Sequence, residues 1–221
     1  MTDFAIYDMD RTITRHATYT PFLLHCATRR APWRLLLLPL ILASMLAYVL
    51  KIIDRGRLKE INHRLLLGHK RHPKELKPLV ESFADRTVAA NIRPGARAAL
   101  ARDRAQGRRV VMATASYRLY AEAIATRLGF DDVIGTGSII GLDERVHAKI
   151  DGENCYGPAK LRMVADWLDR SGFERGHVRF YSDHASDSPV FEWADEPVAV
   201  NPHAKLAKLA ATRGWLVEDW S

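Results

Sequence analysis

Two aspartates stand two residues apart directly after the first apolar segment of the chain. Residues 4–8 are predicted to form a short buried strand, and that strand runs straight into Asp8 and Asp10. Burying carboxylates is costly unless a cation or a reaction compensates for the lost hydration. The pair therefore marks a candidate chemical site at the end of the first strand.

Reactive side chains also follow two later predicted strands. One apolar strand ends at Thr114, and another ends at Asp183, with Asp187 close behind. Lys160 stands at the start of a predicted helix. In an α/β sheet the carboxyl ends of the strands form the working edge, so we expect these groups to meet in one cleft.

Together these residues suit the transfer of a phosphoryl group. The cleft would hold four carboxylates, those of Asp8, Asp10, Asp183 and Asp187. They would repel one another unless a hard cation lay among them, and Mg²⁺ fits because it takes oxygen ligands together with phosphate and water. Lys160 can add positive charge, and Thr114 can donate its hydroxyl beside the N–H groups of a helix start.

The elements that must position these groups divide the chain into two parts. Strands and helices alternate in residues 92–221, which predicts an α/β fold with a parallel sheet and helices on both faces. A small strand pair is predicted within residues 138–152. Residues 15–91 are helical in pattern, so we expect a catalytic core of residues 1–14 and 92–221 and an inserted helical cap of residues 15–91.

Composition places the chain among ordinary globular proteins. Of its 221 residues, 48% are apolar and 27% are charged, which allows one good core with a smaller inserted domain. Cys26 and Cys155 match no metal-ligand spacing, so reduced thiols are expected. The first ten residues carry three aspartates and do not resemble a secretory signal, which predicts a cytoplasmic location.

The positive charge of the chain lies in the cap. Residues 15–91 carry 14 Lys and Arg against 5 Asp and Glu, whereas the remainder carries 19 against 21. This asymmetry indicates an anionic partner, such as a phosphorylated substrate or a membrane surface, or else a solvated basic face. Nucleic acid is not the expected partner, because a long apolar run is an odd companion for it.

Four segments carry a resemblance to a known family. "DMDRT", "VVMATAS", Lys160 in "YGPAK" and "YSDHASD" resemble the four ordered motifs of the haloacid dehalogenase superfamily. The resemblance covers essentially the whole chain and is closest to the phosphoserine-phosphatase-like branch, subfamily IB. "TYTPFLL", "GFDDVIGT", "NCYGPAK" and the late "VNP…RGW" are similar to phosphatidylglycerophosphatase-type members. This implies a Rossmann-like parallel sheet with a helical cap inserted between the first two motifs.

The resemblance also implies a two-step phosphomonoesterase. Asp8 would attack phosphorus and form an aspartyl-phosphate. Asp10 would protonate the leaving oxygen and then deprotonate the attacking water. Thr114 and Lys160 would hold the transferring group.

A magnesium site is implied by the same resemblance. Asp8 and Asp183 would bind Mg²⁺ together with the main-chain carbonyl of Met9. Asp187 would be a further ligand or would orient the others, and Asp10 completes the expected set of metal carboxylates.

The sequence departs from the family pattern at two positions. Arg11 stands where the family usually has Gly or another small residue, and it would face either solvent or an anionic substrate. Ser116 is a further candidate for substrate contact. Phosphoserine phosphatases place a Glu nine residues after the nucleophile, where this chain has Ala17, which weakens phosphoserine as the substrate.

An uncharged apolar run lies within the cap at residues 35–50. A spanning helix usually needs about 20 residues. A single crossing is excluded if Asp8, which precedes the run, and Lys160, which follows it, share one cleft. Three interpretations remain: a buried cap helix or dimer interface, an interfacial or re-entrant helix on a membrane, and a helical hairpin that spans twice. Trp33 and nearby arginines would suit the second.

The sequence therefore predicts a Mg²⁺-dependent phosphomonoester hydrolase acting on a phospholipid or lipid-precursor phosphate. Its cap would lie on an anionic membrane surface, peripheral on the inner face. The first alternative is a soluble small-metabolite phosphatase, and the second is a non-catalytic regulatory or binding protein with the same fold. The oligomeric state is left open.

Overall fold

The computed structural model describes all residues 1–221 as one mixed sheet with helices on both faces and a helical segment at one end. The strands are β1 (Thr2–Tyr7), β2 (Lys70–Arg71), β3 (Arg109–Tyr117), β4 (Asp132–Ile140), β5 (Val146–Asp151), β6 (Arg175–Ser182), β7 (Glu196–Val200) and β8 (Leu216–Glu218). The α-helices are α1 (Tyr19–Arg30), α2 (Leu38–Val49), α3 (Arg55–Leu66), α4 (Pro73–Ala90), α5 (Pro94–Ala105), α6 (Arg118–Leu128), α7 (Pro158–Ser171), α8 (Ser188–Trp193) and α9 (Ala204–Arg213). A short 3₁₀ helix, Pro32–Leu37, leads into α2.

The sheet places β1 at its centre. The strand order is β2-β5-β4-β3-β1-β6-β7-β8, and the six strands from β4 to β8 in this order are parallel. β5 pairs antiparallel with β4, and β2 pairs antiparallel with β5. The carboxyl ends of β1, β3 and β6 are therefore neighbours, as the α/β prediction requires.

Alternating apolar side chains build two layers of core. Along β1, Ala5 and Tyr7 face one side of the sheet and Phe4 and Ile6 face the other, which is the period of a strand buried on both faces. α5 and α6 cover the first side, whereas α7, α8 and α9 cover the second. Both faces are thus buried, and polar groups can gather only at the strand ends.

The fold differs from the predicted elements at a few places. β4 is one continuous strand that joins a predicted strand to the first member of the predicted pair, because its outer half continues to bond β5. β2, β8, α8 and α9 were not predicted. β2, β8 and α8 contain two, three and six residues, too few for a periodic pattern to emerge. α9 has ten residues and was not assigned from the sequence either.

The cap is the segment 15–91, and the chain enters and leaves it side by side. Thr14 and Ile92 form an isolated antiparallel bridge, and the Arg15 amide donates to the Asn91 carbonyl at 2.8 Å. We propose that the division between core and cap follows this paired crossing. Inside the cap, α1 packs on α6 of the core, where the rings of Phe22 and Tyr120 stack at 4.4 Å.

The apolar run of the cap lies on the surface of the molecule. The segment Pro32–Val49 has a mean hydropathy of 1.7 and is long and apolar enough to cross a membrane, yet only 11% of it is buried. In α2 only Ile41 and Ser44 are buried. The interpretation of this run as a buried cap helix is therefore wrong for the single chain.

Candidate active site

A tight turn follows β1 and presents the two aspartates differently. The Thr14 amide closes the turn by donating to the Met9 carbonyl at 3.0 Å. Arg11 adopts a left-handed conformation with φ of 67°, which costs a non-glycine residue about 1 kcal/mol. This explains why a glycine suits the position. The Arg11 side chain itself is exposed, so the turn directs it outward.

Asp8 and Lys160 form the centre of the site. Asp8 Oδ1 accepts a hydrogen bond from Lys160 Nζ at 2.8 Å, and the same ammonium donates to Asp187 Oδ2 at 2.6 Å. All three side chains are buried. Ser182 also donates to Asp187 at 2.7 Å, so this carboxylate is positioned to hold the lysine.

Lys160 reaches the cleft because α7 begins abruptly. Gly157, with φ of 59°, precedes Pro158 in the first turn of the helix, and this backbone conformation favours glycine. Lys160 follows in that first turn, and its amide bonds back to the Gly157 carbonyl at 3.0 Å. The turn thereby points the lysine at the end of β1 instead of along the helix surface.

Thr12 joins the carboxylates of β1 and β6. Its hydroxyl lies 3.1 Å from Asp8 Oδ2 and 3.3 Å from Asp183 Oδ1, and it accepts a hydrogen bond from the Asp183 amide at 3.0 Å. A hydroxyl has one proton, so the two carboxylates share a single donor here. Asp183 Oδ2 also lies 3.2 Å from the half-exposed His203 ring.

The electrostatics of the cluster leave negative charge in excess. Burial raises the pKa of Asp8 to about 7; Lys160 opposes this rise, and the neighbouring carboxylates of Asp187 and Asp183 add to it. Burial likewise raises the pKa of Asp183, while His203 opposes the rise. One ammonium among three buried carboxylates leaves two charges uncompensated, which a divalent cation would neutralise.

The donor set fits Mg²⁺ with fewer protein ligands than the sequence suggested. Asp8 and Asp183 share one hydroxyl proton and offer hard oxygen donors, and one or two carboxylates are usual for this ion. No cluster of three or more His, Cys, Asp or Glu side chains is arranged to hold a metal. The Met9 carbonyl accepts from both the amide and the hydroxyl of Thr14, so its lone pairs are occupied and the structure does not support the expectation that it binds Mg²⁺.

The Asp187 carboxylate binds Lys160, and little of it is available to a metal. Its Oδ2 is occupied by Lys160 and Ser182, while its Oδ1 is buried without a hydrogen-bond partner. That orphaned oxygen is the one part of the side chain that remains open to another donor or to an ion's water.

Asp10 is turned away from the other carboxylates. Its Oδ1 accepts from the amide and hydroxyl of Thr18, both at 2.7 Å, and its Oδ2 accepts from Ser116 Oγ at 2.6 Å. Both oxygens are therefore occupied. The structure does not support the expectation that the Asp10 side chain binds the metal, because its partners hold it on the cap side of the cleft, where a leaving group would lie.

Ser116 orients the Asp10 carboxylate through a hydrogen bond. Its hydroxyl donates to Asp10 and accepts from Tyr120 at 2.6 Å, and the side chain is almost fully buried. The expectation that Ser116 touches substrate is revised accordingly, since both hydrogen-bonding directions of its hydroxyl are in use. Thr114 is also buried, and its oxygen accepts from the Ser116 amide at 3.0 Å, which leaves its proton free to donate.

One cation in the cleft, Lys59 of α3, was not predicted as a site residue. Its ammonium donates to the Ala115 carbonyl and to Asn154 Oδ1, the latter at 2.6 Å, and it has no carboxylate partner. Burial lowers the pKa of Lys59 to about 7, and Arg55 lowers it further, whereas Asp10 opposes the change. A buried lysine on a polar cap helix resembles any solvated lysine in sequence, so only the fold reveals it.

Unpartnered polar groups adjoin Lys59. His63, one turn further along α3, is buried with neither ring nitrogen hydrogen-bonded, and burial lowers its pKa to about 4. Its ring packs edge-on against Tyr117 at 5.1 Å, and the buried Tyr117 hydroxyl also lacks a partner. The His63 ring of the cap and the Tyr117 hydroxyl of β3 are therefore two buried polar groups without hydrogen-bond partners beside Lys59.

Comparison with known proteins agrees with this geometry. Residues 5–192 match the haloacid dehalogenase-like hydrolase family, and the chain belongs to that family. It is similar over its full length to the crystal structure of a protein of unknown function from Bordetella pertussis Tohama I, with a TM-score of 0.89, 25% identity and complete coverage of both chains.

Curated relatives include phosphatases. The chain is 32% identical over 146 residues to phosphoserine phosphatase SerB1 of Mycobacterium tuberculosis (strain ATCC 25618 / H37Rv), covering 66% of this chain and 47% of the relative. It is 27% identical over 146 residues to a histidinol-phosphatase of Neisseria meningitidis serogroup C (strain 8013), covering 65% and 66%. The chain spans half or less of the length of the first curated relatives it matches.

Proposed function

We propose that this chain is a Mg²⁺-dependent phosphomonoester hydrolase that works through an aspartyl-phosphate. One observation carries the proposal. Asp8 is buried at the end of the central strand, with one oxygen on Lys160 and the other on the hydroxyl that it shares with Asp183. Such a carboxylate is oriented, desolvated and beside positive charge, as a nucleophile toward phosphorus requires.

In the first step a carboxylate oxygen of Asp8 forms a bond to phosphorus and the P–O bond to the leaving group breaks. Asp10 gives its proton to the leaving oxygen. In the second step Asp10 takes a proton from water, the water oxygen bonds to phosphorus, and the bond to Asp8 breaks. Inorganic phosphate leaves and Asp8 is restored.

The remaining residues hold the reacting groups in place. Lys160 and the free hydroxyl proton of Thr114 bind oxygens of the transferring phosphoryl group. Ser116 and Thr18 fix the orientation of Asp10. Mg²⁺ bound by Asp8 and Asp183 would supply the positive charge that lets an anionic phosphate approach an anionic carboxylate.

We propose a phosphorylated small molecule as the substrate, with a second anionic group on its leaving part. The relatives named phosphoserine phosphatase and histidinol-phosphatase favour a soluble ester. Ala17 argues against phosphoserine itself. Lys59 and His63 are buried donors without anionic partners, so a carboxylate or a second phosphate on the leaving group would complement them.

A second candidate substrate is a phospholipid or lipid-precursor phosphate, hydrolysed at the cytoplasmic face of a membrane. The exposed apolar surface of α2 favours it, and so does the similarity of several segments to phosphatidylglycerophosphatase-type enzymes. The phosphodiester of such a lipid would also supply the second anion. If the chain were a non-catalytic binding protein, it would carry the whole set of catalytic side chains and yet hydrolyse no phosphate ester.

Phosphate release in the presence of Mg²⁺ tests the function. The panel contains phosphoserine, histidinol phosphate, p-nitrophenyl phosphate, and detergent-dispersed phosphatidylglycerophosphate and lysophosphatidate. We expect Asp8→Asn to lose at least about 10⁴-fold in kcat, whereas exposed Asp169→Asn retains it. Turnover by Asp8→Asn at the wild-type rate would contradict the assignment of the nucleophile.

A Lys59 variant separates esters with an anionic leaving group from esters without one in the same assay. We expect Lys59→Met to lower kcat/KM about tenfold or more for esters whose leaving group carries an anion. For p-nitrophenyl phosphate, which lacks that anion, we expect little change. An equal loss on both esters would mean that Lys59 supports the fold of the cleft and does not read the leaving group.

A further inference from the structure

The largest apolar surface of the molecule lies on the cap. Of the 17 large apolar side chains exposed in the whole chain, 11 fall between Trp33 and Ile52. Leu36, Leu42 and Val49 are 81%, 66% and 71% exposed. Exposed apolar residues are ordinary when they are scattered, but a contiguous patch of this kind marks an interaction surface.

Only one narrow stripe of α2 packs against the cap. Ile41 and Ser44 are buried, and the Ser44 hydroxyl donates to Asn62 Oδ1 of α3 at 2.9 Å. The residues on the other sides of the helix are apolar as well. A helix that is apolar all round is ordinarily surrounded by apolar material, so most of the circumference of α2 lacks its partner in the single chain.

The fold places both ends of the apolar segment on the same side of any membrane. Arg34, before α2, donates to the carbonyls of Arg64 and Leu65 at the end of α3, at 3.1 and 2.7 Å. The Tyr19 hydroxyl of α1 donates to the Lys59 carbonyl of α3 at 2.8 Å. The segments that flank α2 are therefore held together, and α2 can lie in a surface but cannot traverse it once.

Charge selects the partner of this surface. From Arg29 to Ile53 the sequence contains four basic residues and no acidic one. Arg29 and Lys51, near the two ends, are exposed and form no ion pair. Trp33 and Tyr48 stand near the same two ends, as aromatic residues do at the boundary between lipid headgroups and acyl chains.

A second copy of the chain is a poorer partner for this surface, because its charge is not complementary. A two-fold interface brings the same patch together from both subunits, so the unpaired Arg29 and Lys51 of one copy would meet the same basic residues of the other, and residues 29–53 contain no acidic residue to separate them. An anionic bilayer offers both an apolar layer for the leucines and negative charge for the rim.

We propose that the outer face of the segment from Trp33 to Ile52, here named the α2 face, docks the enzyme onto an anionic lipid bilayer. α2 lies parallel to the membrane plane with its leucines among the acyl chains and its basic rim at the headgroups. This docking does not depend on which ester the enzyme hydrolyses. Its failure and the failure of the phosphatase proposal are therefore distinguishable.

Vesicle co-sedimentation of the full chain tests the proposal. We expect binding to vesicles of phosphatidylcholine with phosphatidylglycerol, weaker binding to phosphatidylcholine alone, and a decrease with salt. The triple variant Leu42→Gln, Leu46→Gln and Val49→Gln should bind at least about tenfold more weakly. Its turnover of p-nitrophenyl phosphate should be unchanged, because these side chains touch no part of the cleft.

A matched triple variant controls for a general loss of exposed apolar surface. Ile140→Gln, Leu142→Gln and Leu216→Gln change three exposed apolar residues that lie outside the cap. This variant should bind vesicles like the wild type. On anionic vesicles at low salt, Arg29→Gln with Lys51→Gln should weaken binding about fivefold for each charge removed.

Trp33 fluorescence and the oligomeric state give two further readouts of the α2 face. Trp33 emission should shift to the blue on anionic vesicles, and Trp33→Phe should lose this shift. Binding by the α2 triple variant equal to wild type, or no vesicle binding by the wild type, would overturn the proposal. Concentration-dependent dimers that the α2 triple variant abolishes, without vesicle binding, would instead assign the face to a second copy.

Discussion

The cleft at the end of β1 buries charge, whereas the α2 face exposes apolar side chains. In the cleft, Asp8, Lys160 and Asp187 are each at most 7% exposed, and each is bonded to another member of the cluster. On the α2 face, Leu36 and Val49 are more than two-thirds exposed. Both regions carry an energetic cost that an ordinary globular domain avoids.

The difference lies in where the compensation comes from. The buried charges are compensated in part from within, by a lysine, hydroxyls and main-chain amides, and the proposed Mg²⁺ would neutralise the remainder. The exposed leucines have no internal compensation. We therefore attribute the first region to chemistry and the second to an external surface, and the following predictions separate the two.

The largest effect on stability is expected from the buried ion cluster. Lys160→Met should lower the free energy of unfolding by about 3–5 kcal/mol at neutral pH, because it leaves two buried carboxylates without their cation. The loss should shrink in acid, where the carboxylates take up protons. Chemical denaturation at several pH values measures it.

The control for this change is Lys205→Met, at an exposed position on α9. It should alter stability by no more than about 0.5 kcal/mol. If both variants were equally stable, the buried ion cluster would contribute nothing to the stability of the folded state, contrary to this prediction.

Substitution of two adjacent residues of α2 by alanine should change the stability of the protein by very different amounts. Ile41 is 6% exposed and Leu42 is 66% exposed. Ile41→Ala should therefore destabilise the cap by about 2–4 kcal/mol, whereas Leu42→Ala should change stability by less than about 0.5 kcal/mol. Thermal unfolding of the two variants decides this. Equal losses would indicate that Leu42 is covered in solution.

Asp8 predicts a pH dependence of stability. Burial raises its pKa from 3.8 to about 7, so its ionisation opposes folding and stability is lost as pH rises through this window. The melting temperature of Asp8→Asn should therefore rise relative to that of the wild type as the pH increases from about 4 to about 7.

Mg²⁺ should reduce this gain, because it compensates the ionised carboxylate of the wild type. Asp3→Asn, at an exposed position, serves as the control and should show no such trend. If the difference in melting temperature between Asp8→Asn and the wild type stayed constant across this pH range, this would argue against a raised pKa of Asp8 in the folded protein.

The smallest effect is expected from the residue that positions Asp10. Ser116→Ala should lower kcat about tenfold with little change in KM, because Asp10 loses one of its hydrogen bonds. The acidic limb of the pH profile of kcat should also shift, and Ser116→Thr should restore it. An altered KM with unchanged kcat would return Ser116 to the role of a substrate contact.

Much of the core could be predicted from the sequence because the relevant signals are local. Short runs of apolar residues predicted β1, β3 and β6, and polar residues at their ends predicted the edge of the sheet where Asp8 and Asp183 meet. The small strand pair was also predicted. The fold class is confirmed by the sheet and by the family match.

The remainder depends on contacts between distant segments. Lys59 and Ala115 are brought together only when the cap closes on β3, and Asp10 turns from the other carboxylates because Thr18 bonds it. The apolar run could not be placed from sequence, since a buried helix and a membrane-bound helix have the same composition. β2 and β8 exist only because a neighbouring strand pairs with them.

The central claim is that Asp8 forms a covalent bond to phosphorus. The direct test uses Asp10→Asn, in which hydrolysis of the intermediate should be slow, incubated with Mg²⁺ and a substrate and then reduced with borohydride. Peptide mass analysis should find homoserine in place of Asp8, because borohydride reduces an acyl phosphate, and none without substrate or in the Asp8→Asn background. Turnover with no modification at Asp8, or with modification at another carboxylate, would contradict the account.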